Sequence, residues 1–276
     1  MRRICEQLID AFPSPRRCEF VREFAIPFPT YVFLDLMDLP RERAADFLAW
    51  EETLMRGADF AARAAAARAI YTYLESHLDR QRRAPSNALN RAIVEATFRD
   101  RPLTHLERMG MYFVLYVGGL DTVYSTLGWA MREIARDPTL QERLRAHPEE
   151  ISDAVEEFLR AFSVVVTHRQ VRRDLHFHGV ELRAGDEIHL PLALAGRDPE
   201  VFPDPHRIDP GRRPRHLAFG TGVHTCLGRH LARRELRIVL ETFLERFPVI
   251  RLAPGETYRF HTGRTFGIDS LPLVLG

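Results

Sequence analysis

Residues 219–228 read Phe-Gly-Thr-Gly-Val-His-Thr-Cys-Leu-Gly, and this stretch decides how the rest of the chain is interpreted. Its single cysteine, Cys226, stands among glycines, which take positive φ without steric cost and let backbone approach a flat ligand. A helix is predicted to begin near Gly228, so the positive end of its dipole would lie close to the sulfur. Backbone N–H groups in such a loop also favour the thiolate, which is the form that binds metals. The stretch therefore predicts a cysteine that serves as a metal ligand.

Two simpler interpretations of Cys226 have to be weighed against that one. A free cysteine is most often a buried structural residue. A zinc site could pair His224 with Cys226, but zinc needs four ligands in a recognisable spacing. Cys5 and Cys18 are far away in the sequence and form no C-x-x-C pair. Neither interpretation requires the ten-residue pattern.

The uninterrupted pattern F-G-x-G-x-H-x-C-x-G resembles the heme-binding loop of the cytochromes P-450, the heme-thiolate monooxygenases. The resemblance implies heme b as cofactor, Cys226 as the axial ligand of its iron, and a fold that is mainly α with a minor β region. The residues of this loop that the resemblance places against the cofactor are Phe219, Gly220, Gly222, His224, Cys226 and Gly228. Similarity to the soluble bacterial class, and within it to the camphor-hydroxylase-like branch, is carried by residues 118–123, 178–180 and 226–235.

Composition limits the other possibilities. The 276 residues carry a formal net charge of +1, which gives no overall electrostatic reason to bind nucleic acid or a membrane. Three cysteines without paired spacing favour a reducing compartment. We find no apolar stretch long enough to span a bilayer and no signal-peptide core, so a cytoplasmic protein is expected. Without repeats or a linker, residues 1–276 are predicted to form a single domain.

The spacing of apolar residues predicts mostly helices, followed by a region with the period of strands. The predicted helices are 1–12, 31–37, one from Pro40, 58–82, 88–98, 104–136, 140–146, 149–162 and 228–246. Pro27 and Pro29 predict a loop over Phe24–Pro29. The predicted strands are 169–174, 176–181, 187–191 and a final pair within 258–275, with an irregular Pro-rich meander at 201–214.

Residues 117–122 read Val-Gly-Gly-Leu-Asp-Thr inside the long apolar helix. Two glycines there cost roughly 1 kcal/mol each relative to alanine, so the pattern calls for an explanation. One explanation is tight helix packing, with Thr122 bonding the carbonyl four residues earlier. The resemblance implies another: Gly118 leaves room for a diatomic ligand above the iron, Asp121 delivers protons, and Thr122 stabilises the bound oxygen species.

Glu157 and Arg160 are spaced to share one helix face, where such pairs are usually weak surface contacts. The resemblance instead implies a buried structural triad completed by Arg207 from the meander. It also implies that Arg169 and His216 bind the heme propionates.

The remaining expectations concern ligands and partners. The resemblance places Val165, Leu115, Arg264 and Thr265 in the pocket of a small organic substrate that reacts with O2. Arg264 either pairs with an acceptor on the substrate or turns outward to solvent. We find no flavin or nicotinamide fingerprint, so electrons are expected from an acidic iron–sulfur ferredoxin with its reductase. The basic residues predicted to dock it, unless they are only a solvated face, are Arg212, Arg213, Arg215, Arg229, Arg233, Arg234 and Arg237.

The family has a substantial N-terminal region before the position at which this sequence begins, including a substrate lid and a helix on the proximal heme face. The sequence therefore leaves a second interpretation open, a non-catalytic heme-binding remnant or fragment. A heme-free interaction module is a more distant third. Whether the chain is a fragment, an internally started reading frame or a naturally reduced form is left open by the sequence.

Overall fold

The computed structural model describes residues 1–14 and 16–276. It confirms a mainly helical chain with small antiparallel sheets. The helices are α1 (Arg2–Asp10), α2 (Pro27–Met37), α3 (Ala44–Arg56), α4 (Phe60–Arg83), α5 (Ala88–Glu95), α6 (His105–Arg136), α7 (Pro138–Ala146), α8 (Ile151–Ala161), α9 (Leu192–Gly196) and α10 (Arg229–Arg246). The strands are β1 (Arg17–Glu19), β2 (Thr97–Phe98), β3 (Arg101–Pro102), β4 (Val166–Gln170), β5 (Leu175–Phe177), β6 (Val180–Leu182), β7 (Glu187–Pro191), β8 (Ile250–Leu252), β9 (Arg259–His261), β10 (Gly267–Ser270) and β11 (Pro272–Leu275).

Helix α6 is the longest helix, with 32 residues, and contributes to both hydrophobic clusters of the core. Its N-terminus is a capping box: the Thr104 hydroxyl accepts from the Glu107 N–H at 3.2 Å, and the Glu107 carboxylate accepts from the Thr104 N–H at 2.7 Å. At 1.5 Å per residue the helix is about 48 Å long. It ends at Asp137, because Pro138 has no N–H to continue the ladder and instead begins α7.

Two hydrophobic clusters lie along α6. Its first half packs with α2–α5, where Phe47 and Tyr116 are fully buried with ring centroids 5.5 Å apart. Its second half packs with α1, α8 and α10, where Phe24 meets Phe243 edge-to-face at 4.8 Å. Because α6 belongs to both clusters, residues near its middle are held by both halves of the core.

The strands form small sheets around this helical core. Strand β11 lies between β1 and β8 in a three-stranded antiparallel sheet, and β9 pairs with β10. Strand β4 pairs with β7, β5 with β6, and β2 with β3. The predicted single C-terminal pair is therefore wrong, since residues 259–275 supply three strands to two sheets.

The predicted loop over Phe24–Pro29 is also wrong. Residues Val21–Ala25 form a π-helical turn, and α2 begins at Pro27. Prolines are tolerated there because the first N–H groups of a helix have no intrahelical partner.

The strand predicted over His176–Glu181 is instead a hairpin. His178 and Gly179 take φ of +46° and +81° and join β5 to β6. Positive φ at both central residues is the geometry of a tight hairpin turn that matches strand twist. The preceding strand also begins earlier than predicted, at Val166 rather than Arg169.

Candidate functional site

The cysteine loop is closed by its own backbone. The Cys226 N–H donates to the Phe219 carbonyl at 2.8 Å, and the Thr225 hydroxyl donates to the Gly222 carbonyl at 2.8 Å. Gly220 and Gly222 take φ of +66° and +65°, a region that other residues rarely adopt. Cys226 is exposed, and α10 begins three residues after it. The loop therefore presents the sulfur outward at a helix N-terminus, whereas Cys5 and Cys18 are buried.

A half-buried ion pair fixes this loop to α8. The Glu156 carboxylate accepts two hydrogen bonds from Arg233, at 2.6 and 2.8 Å, and one from His216 at 3.1 Å. The Arg233 guanidinium also lies 4.6 Å from the centroid of the Phe219 ring. Burial opposes ionisation of Glu156, but the bonds from Arg233 and His216 outweigh it and lower the pKa to about 2. Glu156 and Arg233 thus connect α8, α10 and the loop.

Both ring nitrogens of His216 have partners within the protein. Its Nδ1 accepts from the Ala218 N–H at 3.2 Å, so its Nε2 is the nitrogen that donates to Glu156. Its side chain is 3% exposed. In this structure His216 anchors the loop, and its contact with a heme propionate stays a prediction. Arg169 lies exposed on β4, where a carboxylate ligand could reach it.

Glu157 and Arg160 form a fully buried bidentate pair at 2.8 Å for both hydrogen bonds. Arg160 uses its other three N–H donors on the carbonyls of Gly196, Pro205 and Arg207. All five guanidinium donors are therefore satisfied. This buried pair locks the meander onto α8.

The third member of this cluster is Arg212, where Arg207 was predicted. Arg212 Nε lies 3.1 Å from Glu157 Oε1, and its side chain is 16% exposed. The Arg207 side chain is 68% exposed, and among the described residues it forms one ion pair, with Asp209 at 3.7 Å. Arg207 contributes its backbone carbonyl, so the guanidinium role moves five residues along the meander.

The middle of α6 combines open space with polar groups. A Cβ added at Gly118 or Gly119 would meet no atom within 4 Å. The Thr122 hydroxyl donates to the Gly118 carbonyl at 2.9 Å, which leaves its oxygen free to accept. Packing therefore does not explain these glycines, since a Cβ at either position would contact none of the described residues.

Asp121 is 1% exposed and gathers several donors. Its Oδ1 accepts from Arg56 at 3.2 Å and from the Tyr124 hydroxyl at 2.5 Å, and its Oδ2 accepts from the Thr265 hydroxyl at 2.5 Å. Arg56 also contacts Tyr124. Burial, the Asp121 charge and its hydrogen bond raise the pKa of Tyr124 well above its usual range. Tyr124 therefore acts as a donor to Asp121.

A chain of contacts continues from Arg56 toward solvent. Arg56 Nη2 lies 3.3 Å from His261 Nε2, and His261 Nδ1 lies 2.6 Å from Asp269 Oδ1. Because arginine can only donate, Nε2 accepts and Nδ1 carries the proton given to Asp269. The Asp269 side chain is 38% exposed. Asp121 is thus connected to the surface through Arg56, His261 and Asp269.

The residues predicted to line a substrate pocket divide into two groups. Val165 and Thr265 form an antiparallel bridge, and the hydroxyl of Thr265 is used on Asp121. Arg264 is exposed, and its carbonyl accepts from the Val166 N–H at 2.8 Å. Leu115 is half-buried and packs on the first-half cluster of α6. The contact of Arg264 with a substrate stays a prediction.

The turn that carries Thr265 is held against α6. A Cβ at Gly267 would come within 2.4 Å of Ser125 Oγ, so only glycine allows this approach. The Trp129 indole donates to the Phe266 carbonyl at 3.3 Å. These contacts place Thr265 beside Asp121.

The exposed surface around Cys226, formed with Val223, His224 and Leu227, suits a flat, largely apolar group. Val223 is 96% and Leu227 79% exposed, and His224 is exposed in the same turn. Exposed apolar side chains grouped in this way mark a surface that a ligand covers. Together with an outward thiol at a helix N-terminus, they fit a heme ligated by Cys226.

Comparisons with known proteins agree with this geometry. The sequence profile of the family described as cytochrome P-450 matches residues 53–261. The chain belongs to the cytochrome P-450 family. Proteins of this family bind heme b, and the matched range contains both the α6 motif and Cys226.

Individual relatives are bacterial. The chain is 37% identical over 269 residues to the probable cytochrome P-450 127A1 of Sinorhizobium fredii, covering 97% of this chain and 65% of the relative. It is 34% identical to the steroid C26-monooxygenase of Mycolicibacterium smegmatis, covering 99% of this chain and 70% of the relative. The solved structure of the cytochrome P-450 PksS of Bacillus subtilis superposes with a TM-score of 0.93 at 32% identity, over all of this chain and 73% of PksS. The chain thus spans about two thirds of the length of these relatives.

Among residues 1–14 and 16–276, the helices are all too short or too polar to cross a membrane.

The basic residues near the cysteine are less free than their spacing suggested. Four of them pair with acidic side chains: Arg212 with Glu157, Arg213 with Asp153, Arg233 with Glu156, and Arg237 with Glu241. Arg215 and Arg234 are exposed, and Arg229 is half-buried, with its guanidinium 3.4 Å from the Cys226 carbonyl. Within the described part of the chain, these three form no ion pair. They are the positive charges available to a partner.

Proposed function

We propose that this chain is a heme-thiolate monooxygenase that inserts one oxygen atom of O2 into a small organic substrate. The observation that carries the proposal is the exposed Cys226 in its glycine-framed loop, in a chain whose α6 also presents Gly118, Asp121 and Thr122. The relatives named as monooxygenases support it. A non-catalytic heme-binding remnant is the alternative.

Each element of the site has a distinct chemical task. Bound heme supplies the iron centre that activates O2 and accepts one electron at a time. Cys226 would hold that iron through its thiolate, while the loop and the Glu156–Arg233 pair fix the position of the sulfur. The open space beside Gly118 admits a small ligand. Thr122 can accept a hydrogen bond there, and Asp121, positioned by Arg56, Tyr124 and Thr265, would serve as the acid–base group next to it.

The absorption spectrum of the reduced carbonyl complex tests the ligand assignment. The native chain should give the band of thiolate-ligated heme, and Cys226→Ala should abolish it. Cys18→Ala is the matched control, because Cys18 is buried and burial raises its thiol pKa far above its usual range. A thiolate band that survives in Cys226→Ala would contradict the assignment.

Turnover separates the enzyme from the remnant. With electrons supplied, Thr122→Ala should release more of the consumed O2 as peroxide and less as product, because proton control at the oxygen is weakened. Thr126→Ala is the control, since Thr126 makes the same bond to a carbonyl four residues back, one turn further along α6. A native chain with the thiolate band but no product would favour the remnant.

We also propose that an acidic iron–sulfur ferredoxin, reduced by its reductase, docks near Arg215, Arg229 and Arg234. Opposite charges steer association, so the electron-transfer rate should fall as ionic strength rises. Arg234→Glu should reduce the rate further, whereas Arg91→Glu on α5 should not. Arg233 is unsuitable for this test because its reversal would break the pair with Glu156. Rates that ignore both salt and Arg234→Glu would count against this partner.

A further inference from the structure

Two histidines and a glutamate meet on the ribbon formed by β4 and β7, outside the site described above. His168 on β4 lies directly opposite His189 on β7 in the antiparallel register. Their ring centroids are 4.1 Å apart. Successive side chains of a strand face opposite sides, so the neighbouring Arg169 belongs to the other face of the ribbon.

Glu187 adds a carboxylate on the same face. It precedes His189 by two residues on β7, and its Oε2 lies 3.6 Å from His189 Nε2. One ligand atom from each of the three side chains lies within 4.8 Å of the others. Tetrahedral zinc with bonds of about 2.0–2.1 Å places its ligand atoms roughly 3.3 Å apart. Small side-chain rotations would therefore bring all three into coordination.

We propose that His168, Glu187 and His189 form a binding site for a divalent transition metal such as Zn²⁺. Neutral imidazole nitrogens and a carboxylate are ligands that this ion prefers, and three of them leave a position for water. Glu187 and His189 are exposed and His168 is half-buried, so an ion can enter without rearrangement of the core. A cross-strand histidine pair by itself would be an ordinary sheet contact. The third ligand on the same face is what makes the cluster a site.

A metal here would fasten a segment that supports the buried pair of α8. Strand β4 follows α8 along the chain, and β7 leads into α9. The last residue of α9, Gly196, gives its carbonyl to Arg160 at 2.6 Å. An ion bound only by the folded ribbon stabilises the native state by mass action. The site does not depend on heme, so its failure would leave the proposed oxygenase function untouched.

Isothermal titration with ZnCl2 tests the proposal on the full chain. Because a thiol without heme could also bind zinc, the titration is repeated in a Cys226→Ser background. We expect one Zn²⁺ per chain in both, and affinities lowered about tenfold or more by His168→Ala and by His189→Ala. Glu187→Gln keeps the size of the side chain but removes its charge, and should also weaken binding. Zinc should raise the thermal midpoint of the native chain but not that of His189→Ala.

The neighbouring hairpin offers a matched control. His176 and Glu181 also face each other across two strands, at 2.7 Å, but form a pair rather than a group of three. His176→Ala should leave zinc affinity unchanged. Thermal midpoints without zinc verify that each variant folds. If a histidine variant does not fold, Glu187→Gln still tests the proposal, because Glu187 is exposed. No zinc binding, binding that both histidine variants retain, or binding lost only with Cys226 would overturn the proposal.

Discussion

At the scale of single residues, Asp121 shows how a buried carboxylate is supported. It receives hydrogen bonds from three side chains, and each comes from a different part of the chain: α3, α6 and the turn before β10. The local sequence, residues 117–122, singles out Asp121 but does not indicate which side chains donate to it. Thr265 has a role that the sequence did not predict, as a donor that positions Asp121, and its substrate contact stays a prediction.

Thr265→Val should therefore destabilise the protein and disturb proton supply. Valine has nearly the same shape but cannot donate, so one oxygen of a buried carboxylate loses its partner, which costs about 1–3 kcal/mol. Urea unfolding measures the change, and the ratio of peroxide to product measures the effect on Asp121. Arg264→Leu is the control, because Arg264 precedes Thr265 and is exposed. It should change the unfolding free energy by less than about 0.5 kcal/mol. Equal effects of the two variants would contradict the assignment of Thr265.

At the scale of elements, the meander and α8 are joined by the Glu157–Arg160 pair. The pair was predictable because i, i+3 spacing places both groups on one helix face. Its third partner was not. Arg207 and Arg212 lie within one irregular segment, where no periodicity tells which guanidinium turns inward and which carbonyl does. The structure resolves this by burying Arg212 and exposing Arg207.

Two substitutions in the meander separate these roles. Arg212→Met should cost about 1–3 kcal/mol of unfolding free energy, because it removes a charged donor from the buried carboxylate of Glu157. Arg207→Met should change it by less than about 0.5 kcal/mol, since only its carbonyl takes part. Urea unfolding at fixed pH measures both. A larger loss in Arg207→Met would restore the arrangement predicted from the sequence.

Local sequence patterns are sufficient to predict the cysteine loop, the capping box of α6 and the α6 motif. Contacts between residues distant in sequence leave no such pattern. Arg56 is 65 residues from Asp121, and Asp153 and Glu156 neutralise arginines that lie far along the chain. The loop over residues 24–29 was predicted wrongly because proline occurs both in loops and in the first turn of helices. The strand over residues 176–181 was predicted wrongly because the tight turn at His178 was not recognised. Motifs formed by a few consecutive residues can thus be predicted from the sequence, whereas the distant residues that contact them cannot.

At the scale of the whole molecule, two buried carboxyl groups couple folding to pH. Burial, and then the charge of Asp121, raises the pKa of Glu51 to about 8. Burial raises the pKa of Glu235 to about 8 as well. Among the described residues, Glu51 Oε1 has no hydrogen-bond partner, which suits a protonated group. Glu156 acts in the opposite sense, because its pKa is lowered, but the stability it contributes is lost only as pH falls from about 4.5 through about 2.

The protein should therefore lose stability as pH rises through the neutral range. Below pH 4.5, the ordinary value for glutamate, both carboxyls are protonated in the folded and unfolded states. Between pH 4.5 and 8 the folded state holds protons that the unfolded state releases. Each carboxyl then lowers the unfolding free energy by at most about 1.4 kcal/mol per pH unit.

Glutamine at either position removes the titrating group while keeping its size. Urea unfolding at pH 5.5, 6.5 and 7.5 should show a shallower decline for Glu51→Gln and for Glu235→Gln than for the native chain, and the shallowest for the double variant. Glu95→Gln on α5 is the control, since the Glu95 side chain is 63% exposed, and it should keep the native slope. The two sites lie on α3 and α10 and share no described contact, so their effects on the slope should add. A native slope in both single variants would show that these carboxyls ionise in the folded protein as they do in the unfolded chain.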